Sequence, residues 1–215
     1  MKTFKEFKDE ILKRAKEANA YKQEYGRAYK SNTFDELMLV IKDNFSFAVN
    51  KKVIDPELIE DYKEEFIASD IYCNQYTEKG YLLVSDFSME NINGNVVVNV
   101  WDNATIQNVR GNATIQNVWG NATIQNVRDN ATIQDVRGNA TIQNVRDNAT
   151  IQNVWGNATI QNVRDNATIQ DVRDNAYISS YYLIECKLHD NAILRIRKDN
   201  IIQYVSDDIK MEKLV

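Results

Sequence analysis

Apolar positions recur along this chain with two different periods. Near the N-terminus they fall three and four residues apart, at Phe4, Phe7, Ile11, Ala15 and Ala18, with Lys, Glu and Asp between them. That spacing puts one apolar stripe on a helix and leaves the rest to water, and it predicts a first helix running on into the Tyr21 to Tyr29 stretch. Thr33-Phe34-Asp35-Glu36 has the capping-box form, in which the threonine and the glutamate reach each other's backbone amides, and the apolar run Leu37 to Ile41 comes directly after it. A second helix is expected there. Asp55-Pro56 starts a third, because Asp accepts from the free first-turn amides and Pro loses nothing at the first helical position; Ile54 and Ile59 are placed to staple it. Roughly 70 residues in three helices bury little surface, so this head is expected to lean on the repeat array.

From Asp86 the period changes to nine. The phrase N-A-T-I-Q-N-V-[RW]-[GD] begins at Asn103, Asn112, Asn121, Asn130, Asn139, Asn148, Asn157 and Asn166, and decayed copies flank these eight. A fixed period with Ala, Ile and Val at set places predicts a solenoid in which each unit buries its apolar side only by stacking on the next. Alternation turns Ala and Ile inward and Thr and Gln outward. Val also faces inward if the chain bends near the Asn-Val junction, and Gly/Asp-Asn supplies the next bend, so each unit is expected to hold two short strands and two bends.

The eighth position sets the number of units per coil. It is Trp at 101, 119 and 155 and Arg at 110, 128, 146 and 164, so two units complete one coil and Trp101, Trp119, Arg137 and Trp155 share an edge. A coil of three units would mix the Trp and Arg columns. About five coils span 86 to 175, a rod on the order of 24 Å long at the usual strand spacing. Tyr181 to Val215 keeps alternation in Ala192 to Arg197 without the phrase, and is expected to cap the exposed strand edge. The predicted fold class is therefore α+β: a helical head over 1–80, a short parallel β-solenoid over 81–180 and a strand cap over 181–215.

Composition narrows the chemistry. The chain opens on charges every second or third residue, with no apolar run long enough for a signal peptide or a membrane span, so a cytoplasmic protein is expected. Two cysteines, Cys73 and Cys186, and one histidine, His189, make no metal-ligand set, and no cofactor is implied. Residues 86 to 175 carry 6 Lys/Arg against 9 Asp/Glu, which is not the footprint of a nucleic-acid binder.

The head "FKEFKDEILKRAKEANA…IKDNF…IDPELIE…IYCNQ" joined to an array of "NATIQNVWG" resembles, over nearly the whole chain, a group of uncharacterised β-solenoid repeat proteins of gut Bacteroidetes and their phages and mobile elements. The resemblance implies a helical head on a solenoid and carries no activity with it. The "ATIQN" half of the unit also resembles the A-[DN]-L-x-x unit of pentapeptide-repeat proteins, some of which imitate DNA. The "VRGN" half and the lack of regular acidic positions depart from that pattern.

Stacking turns each outward position into a stripe. The Thr and Gln stripes are expected to ladder by hydrogen-bonding their own kind, and the Asn stripes to serve the bends. Arg110, Arg128, Arg146 and Arg164 are the first candidates for binding phosphate or an acidic partner. Neighbouring guanidiniums about 5 Å apart repel by somewhat under 1 kcal/mol in water. Asp129, Asp147 and Asp165 follow three of them and are expected to neutralise the column. Trp101, Trp119 and Trp155 are expected to face outward, either covered by the head, lying over an adjacent glycine, or held ready as anchors for a partner. Cys186-x-x-His189 is a weak nucleophile pattern, and the repeat glycines form no phosphate loop. These columns point to a non-enzymatic interaction module, an inhibitor or adaptor that presents Trp and Arg/Asp edges to a protein partner. A nucleic-acid or nucleotide-related binder or DNA mimic is the second reading. A self-assembling structural component, and hence a homo-oligomer, is the third, and no membrane is implied.

Overall fold

A computed structural model describes residues 3–204 and 212–213. They fall into two compact units, Met1–Cys73 with Gly80–Leu83, and Asn74–Lys79 with Val84–Val215.

The first unit holds six helices among the described residues, where three were expected: α1 (Phe4–Glu17), α2 (Lys22–Lys30), α3 (Phe34–Asp43), α4 (Phe45–Asn50), α5 (Pro56–Asp61) and α6 (Lys63–Ala68). Each expected helix is split by a local break. Asn19, at φ 54°, separates α1 from α2, while Asn44 and Tyr62 leave helical geometry between the later pairs. A break of one or a few residues barely disturbs the spacing of apolar positions, so the hydrophobic period runs through it. Caps place the helix starts. Thr3 and Glu6 form a complete capping box that the sequence pattern did not single out. Thr33 accepts from the Glu36 amide at 3.3 Å, but the Glu36 carboxylate takes the Asn32 amide at 2.6 Å, so that box is half made. Asp55 accepts from the Leu58 amide at 2.8 Å, and Arg14 donates to its other oxygen at 2.8 Å, tying α1 to the start of α5. Phe7 is fully buried against Phe34, Tyr62 and Phe66, and the strands β1 (Ile71–Cys73) and β2 (Lys79–Ser85) pair in parallel.

The second unit is a parallel β-solenoid. One sheet runs β4 (Asn95–Trp101), β6 (Thr114–Val118), β8 (Thr132–Val136), β10 (Thr150–Val154), β12 (Thr168–Val172) and β14 (Lys187–Leu188); the other runs β3 (Ser88–Ile92), β5 (Thr105–Val109), β7 (Thr123–Val127), β9 (Thr141–Val145), β11 (Thr159–Val163), β13 (Tyr177–Ser180) and β15 (Ile193–Ile196). Even strands stack on even and odd on odd: Ile115 pairs with Ile133 and Ile124 with Ile142, so two units complete a coil, as expected. Ala, Ile and Val of each exact copy are buried. Burying each Ile removes enough apolar surface to contribute about 2 kcal/mol relative to exposure.

The structure departs from expectation in two respects. Each unit holds one five-residue strand, Thr to Val, and not two, because the Asn-Val junction does not break the backbone pairing. Val still reaches the interior, with both Gln and Asn between it and Ile, so strict alternation fails within a continuous strand. Parallel pairing also continues past residue 180: β13 pairs with β15 through Ile178 and Leu194, and only then does β16 (Ile201–Tyr204) turn antiparallel. Seven parallel strands on the longer sheet make the stack on the order of 30 Å long.

The ninth residue of the unit turns the corner in left-handed backbone, as Asp at 129, 147 and 165 and as Gly at 120, 138 and 156. Amide side chains then ladder up the stack. Asn121, Asn139, Asn157 and Asn175 each donate to the Asn of the preceding coil, as do Asn126, Asn144 and Asn162 on the strands. Each such bond contributes about 0.5–1.5 kcal/mol net. Of the expected Thr ladder, the structure shows the rung in which Thr168 donates to Thr150.

Candidate functional site

The eighth position of the unit follows Val at the end of each strand, so the two sheets present it along two different edges. On the even sheet the edge runs Trp101, Trp119, Arg137, Trp155, Arg173 and His189, one residue beyond the paired positions Val100, Val118, Val136, Val154, Val172 and Leu188. On the odd sheet it runs Arg110, Arg128, Arg146, Arg164, Tyr181 and Arg197. The separation of Trp and Arg columns expected from the repeat therefore holds in three dimensions.

The tryptophan edge satisfies much of itself. Trp101 is 2% exposed and so is covered, one of the alternatives expected for these tryptophans; the Trp119 ring meets it edge to face at 5.8 Å. Trp119 is 41% exposed, yet its Cδ1 lies 3.2 Å from where a Cβ on Gly138 would stand, so the ring covers the glycine of the next coil. Gly138 and Gly156 sit at φ 72° and 70°, and a Cβ added to either would lie 3.0–3.1 Å from the backbone of the coil below, too close for a side chain to fit without displacing it. Arg137 stacks its guanidinium on Trp155 at 5.4 Å and donates to Asp135 at 2.6 Å and Asn117 at 2.7 Å. Arg173 donates to Asp171 at 2.6 Å, and this guanidinium holds the Asp171 carboxyl below its ordinary value.

The arginine edge is built differently. Arg110, Arg128, Arg146 and Arg164 have no carboxylate within 4.0 Å among the described residues. The expected neutralisation does not occur, because the three aspartates turn along the stack. Asp129 accepts from the Gly111 amide at 3.0 Å, Asp147 from the Asp129 amide at 3.3 Å and Asp165 from the Asp147 amide at 3.5 Å. A left-handed corner residue aims its side chain at the neighbouring coil's backbone, away from the arginine before it. The Nε of Arg110, Arg128 and Arg146, like that of Arg137 on the other edge, is shielded and has no acceptor among the described residues. A row of guanidiniums without carboxylate partners among the described residues results.

At the far end this row enters a cleft lined by Arg164, Tyr181, Tyr182 and Arg197. The sequence pattern did not select the last three. The signal was present, since Asn175-Ala176 and Asn191-Ala192 restart the phrase with residues deleted before the eighth position. Burial pushes the Cys186 thiol up to about 11, the reverse of activation, and His189 lies 3.4 Å from Asp171. Burial likewise pushes the Cys73 thiol up to about 12. No helix among the described residues is long and apolar enough to cross a membrane.

In comparisons with protein-family models, curated proteins and solved structures, none matches this chain.

Proposed function

We propose that the protein is a non-enzymatic interaction module, an adaptor or inhibitor, that takes an acidic protein partner along the arginine edge of its solenoid. The observation that carries this reading is the row Arg110, Arg128, Arg146 and Arg164, in successive rungs and without carboxylate partners among the described residues. Carboxylates of a partner relieve the mutual repulsion of neighbouring guanidiniums, somewhat under 1 kcal/mol per pair in water, and accept their forked donors. The adjoining row of Asp129, Asp147 and Asp165 favours a protein over nucleic acid. A uniformly charged phosphate backbone meets repulsion there, whereas a protein surface can oppose acids to one row and bases to the next. Trp119, the most exposed tryptophan, offers a separate contact on the other edge.

The test is capture from nuclease-treated extract of the source cell, using the wild-type chain and a variant with Arg110, Arg128 and Arg146 changed to Gln. A protein held by the wild type and released from the variant, with an affinity loss of about tenfold or about 1.4 kcal/mol, supports the reading. Capture that nuclease abolishes favours nucleic acid, and an unchanged set of captured proteins removes the arginine edge from the interface.

A further inference from the structure

We propose that the cleft at the C-terminal end of the arginine edge binds a nucleoside monophosphate. Val163, Ser180 and Ile196 are aligned on three successive strands, so the residues after them, Arg164, Tyr181 and Arg197, occupy three successive rungs. The order is guanidinium, ring, guanidinium. The outer two stand two strand spacings apart, roughly 10 Å at the backbone, a gap that two arginine side chains can close around one phosphate over the middle rung. Neither arginine has a carboxylate within 4.0 Å among the described residues.

The rings supply the second element. Tyr181 and Tyr182 are 43% and 50% exposed and meet edge to face at 4.7 Å, with the Arg197 guanidinium 5.8 Å from the first ring and the Lys198 ammonium 4.8 Å from the second. Exposed rings beside cations form a platform on which a nucleobase stacks.

The third element is a break in the asparagine ladder. Asn108, Asn126 and Asn144 each accept, through Oδ1, from the Asn of the next coil. Asn162 donates to Asn144 in the same way, but the following strand brings serines where the next Asn would stand, and its own Oδ1 receives no donor among the described residues. Asn162 and Asp165 both line the cleft. The amide oxygen of the first and the carboxylate of the second are acceptors. The N–H groups of a base and the hydroxyls of a ribose can satisfy them at a distance from the phosphate, whereas inorganic phosphate has neither base nor ribose to reach them and the ring of a phosphotyrosine carries no donor. Phosphate donors, a stacking platform and edge acceptors together select a nucleotide.

Calorimetric titration of the full chain with AMP, GMP, CMP and UMP tests the inference, with adenosine, ribose 5-phosphate, inorganic phosphate and O-phosphotyrosine as controls. At least one nucleotide is expected to bind tenfold or more tightly than every control. Arg197→Gln and Tyr182→Ala, both at exposed positions, should each weaken it tenfold or more without shifting the melting temperature, and Arg128→Gln should leave it unchanged. Four outcomes overturn the proposal: no nucleotide binds, ribose 5-phosphate binds as tightly as the nucleotide, O-phosphotyrosine binds more tightly, or Arg128→Gln weakens binding as much as Arg197→Gln. Because the acidic-partner reading is tested on Arg110, Arg128 and Arg146, each idea can fail without the other.

Discussion

The two edges of the solenoid occupy the same place in the nine-residue unit, yet their side chains are satisfied in different ways. On the even edge Trp and Arg alternate along part of the stack, and each finds a partner close by: Trp119 against Trp101 and over Gly138, Arg137 over Trp155 and onto Asp135. On the odd edge four arginines follow one another, and the acids beside them bond to backbone amides. Mixing residue types along a column lets a stack close on itself. Repeating one charged type leaves its members without such partners, because like groups repel and offer one another no acceptor. Charge adjacency in sequence is therefore a poor guide to ion pairing in a solenoid, where the neighbour that matters is a full coil away.

Several substitutions sharpen that contrast. The interior is common to both edges, so Ile142→Asp and Ile133→Asp should be equally damaging, costing about 4 kcal/mol or more by burying an unpaired carboxylate in a fully enclosed position. Denaturant melts check this, and Thr141→Asp on the outer face should cost under about 1 kcal/mol. A difference between the two Ile variants as large as their mean would mean that the sheets are not equivalent.

Changes at the corners should cost less. Gly138→Ala on the tryptophan edge forces a side chain into left-handed backbone and against the coil below, at a cost of about 1–3 kcal/mol. Asp147→Gly on the arginine edge keeps a permissive backbone and gives up one long hydrogen bond, so it should move stability by no more than about 1 kcal/mol. Equal effects at the two corners would contradict the tight stacking described for the glycine column.

The smallest effect is electrostatic. Arg173 holds the Asp171 carboxyl below its ordinary value, so the folded-state pKa is depressed relative to the unfolded chain. That contribution is present above the unfolded value, 3.8, and is lost as pH falls through the folded value. Stability measured downward from pH 5 should therefore fall a little more steeply in the wild type than in Arg173→Gln. The same measurement on Arg146→Gln should match the wild type, since no carboxylate among the described residues pairs with Arg146.

Much of this was legible in the chain. Columns of Trp and Arg at the eighth position determined two units per coil, because only that period keeps the two types apart. The Asp55-Pro56 start was readable because capping is local, decided within a single turn. What escaped depended on geometry between coils. The left-handed corner was legible in the Gly/Asp-Asn step, but the direction in which it turns Asp147, toward the Asp129 amide, was not. The helix breaks at Asn19, Asn44 and Tyr62 escaped because a short interruption preserves the apolar period. Tyr181 and Arg197 escaped because deletions hide their place in the frame, although Asn191-Ala192 marks it.

The contrast between the edges rests on whether arginine and aspartate couple, and double-mutant cycles measure that directly. Stability of the wild type, Arg146→Gln, Asp147→Asn and the double variant should give a coupling within about 0.3 kcal/mol of zero, because the two side chains do not meet. The cycle for Arg137 and Asp135, in contact at 2.6 Å, should give a favourable coupling of about 0.5–1 kcal/mol. A coupling for Arg146 and Asp147 as large as that for Arg137 and Asp135 would contradict the account, since it would mean that the arginine edge neutralises itself and holds no open row of guanidiniums for an acidic partner.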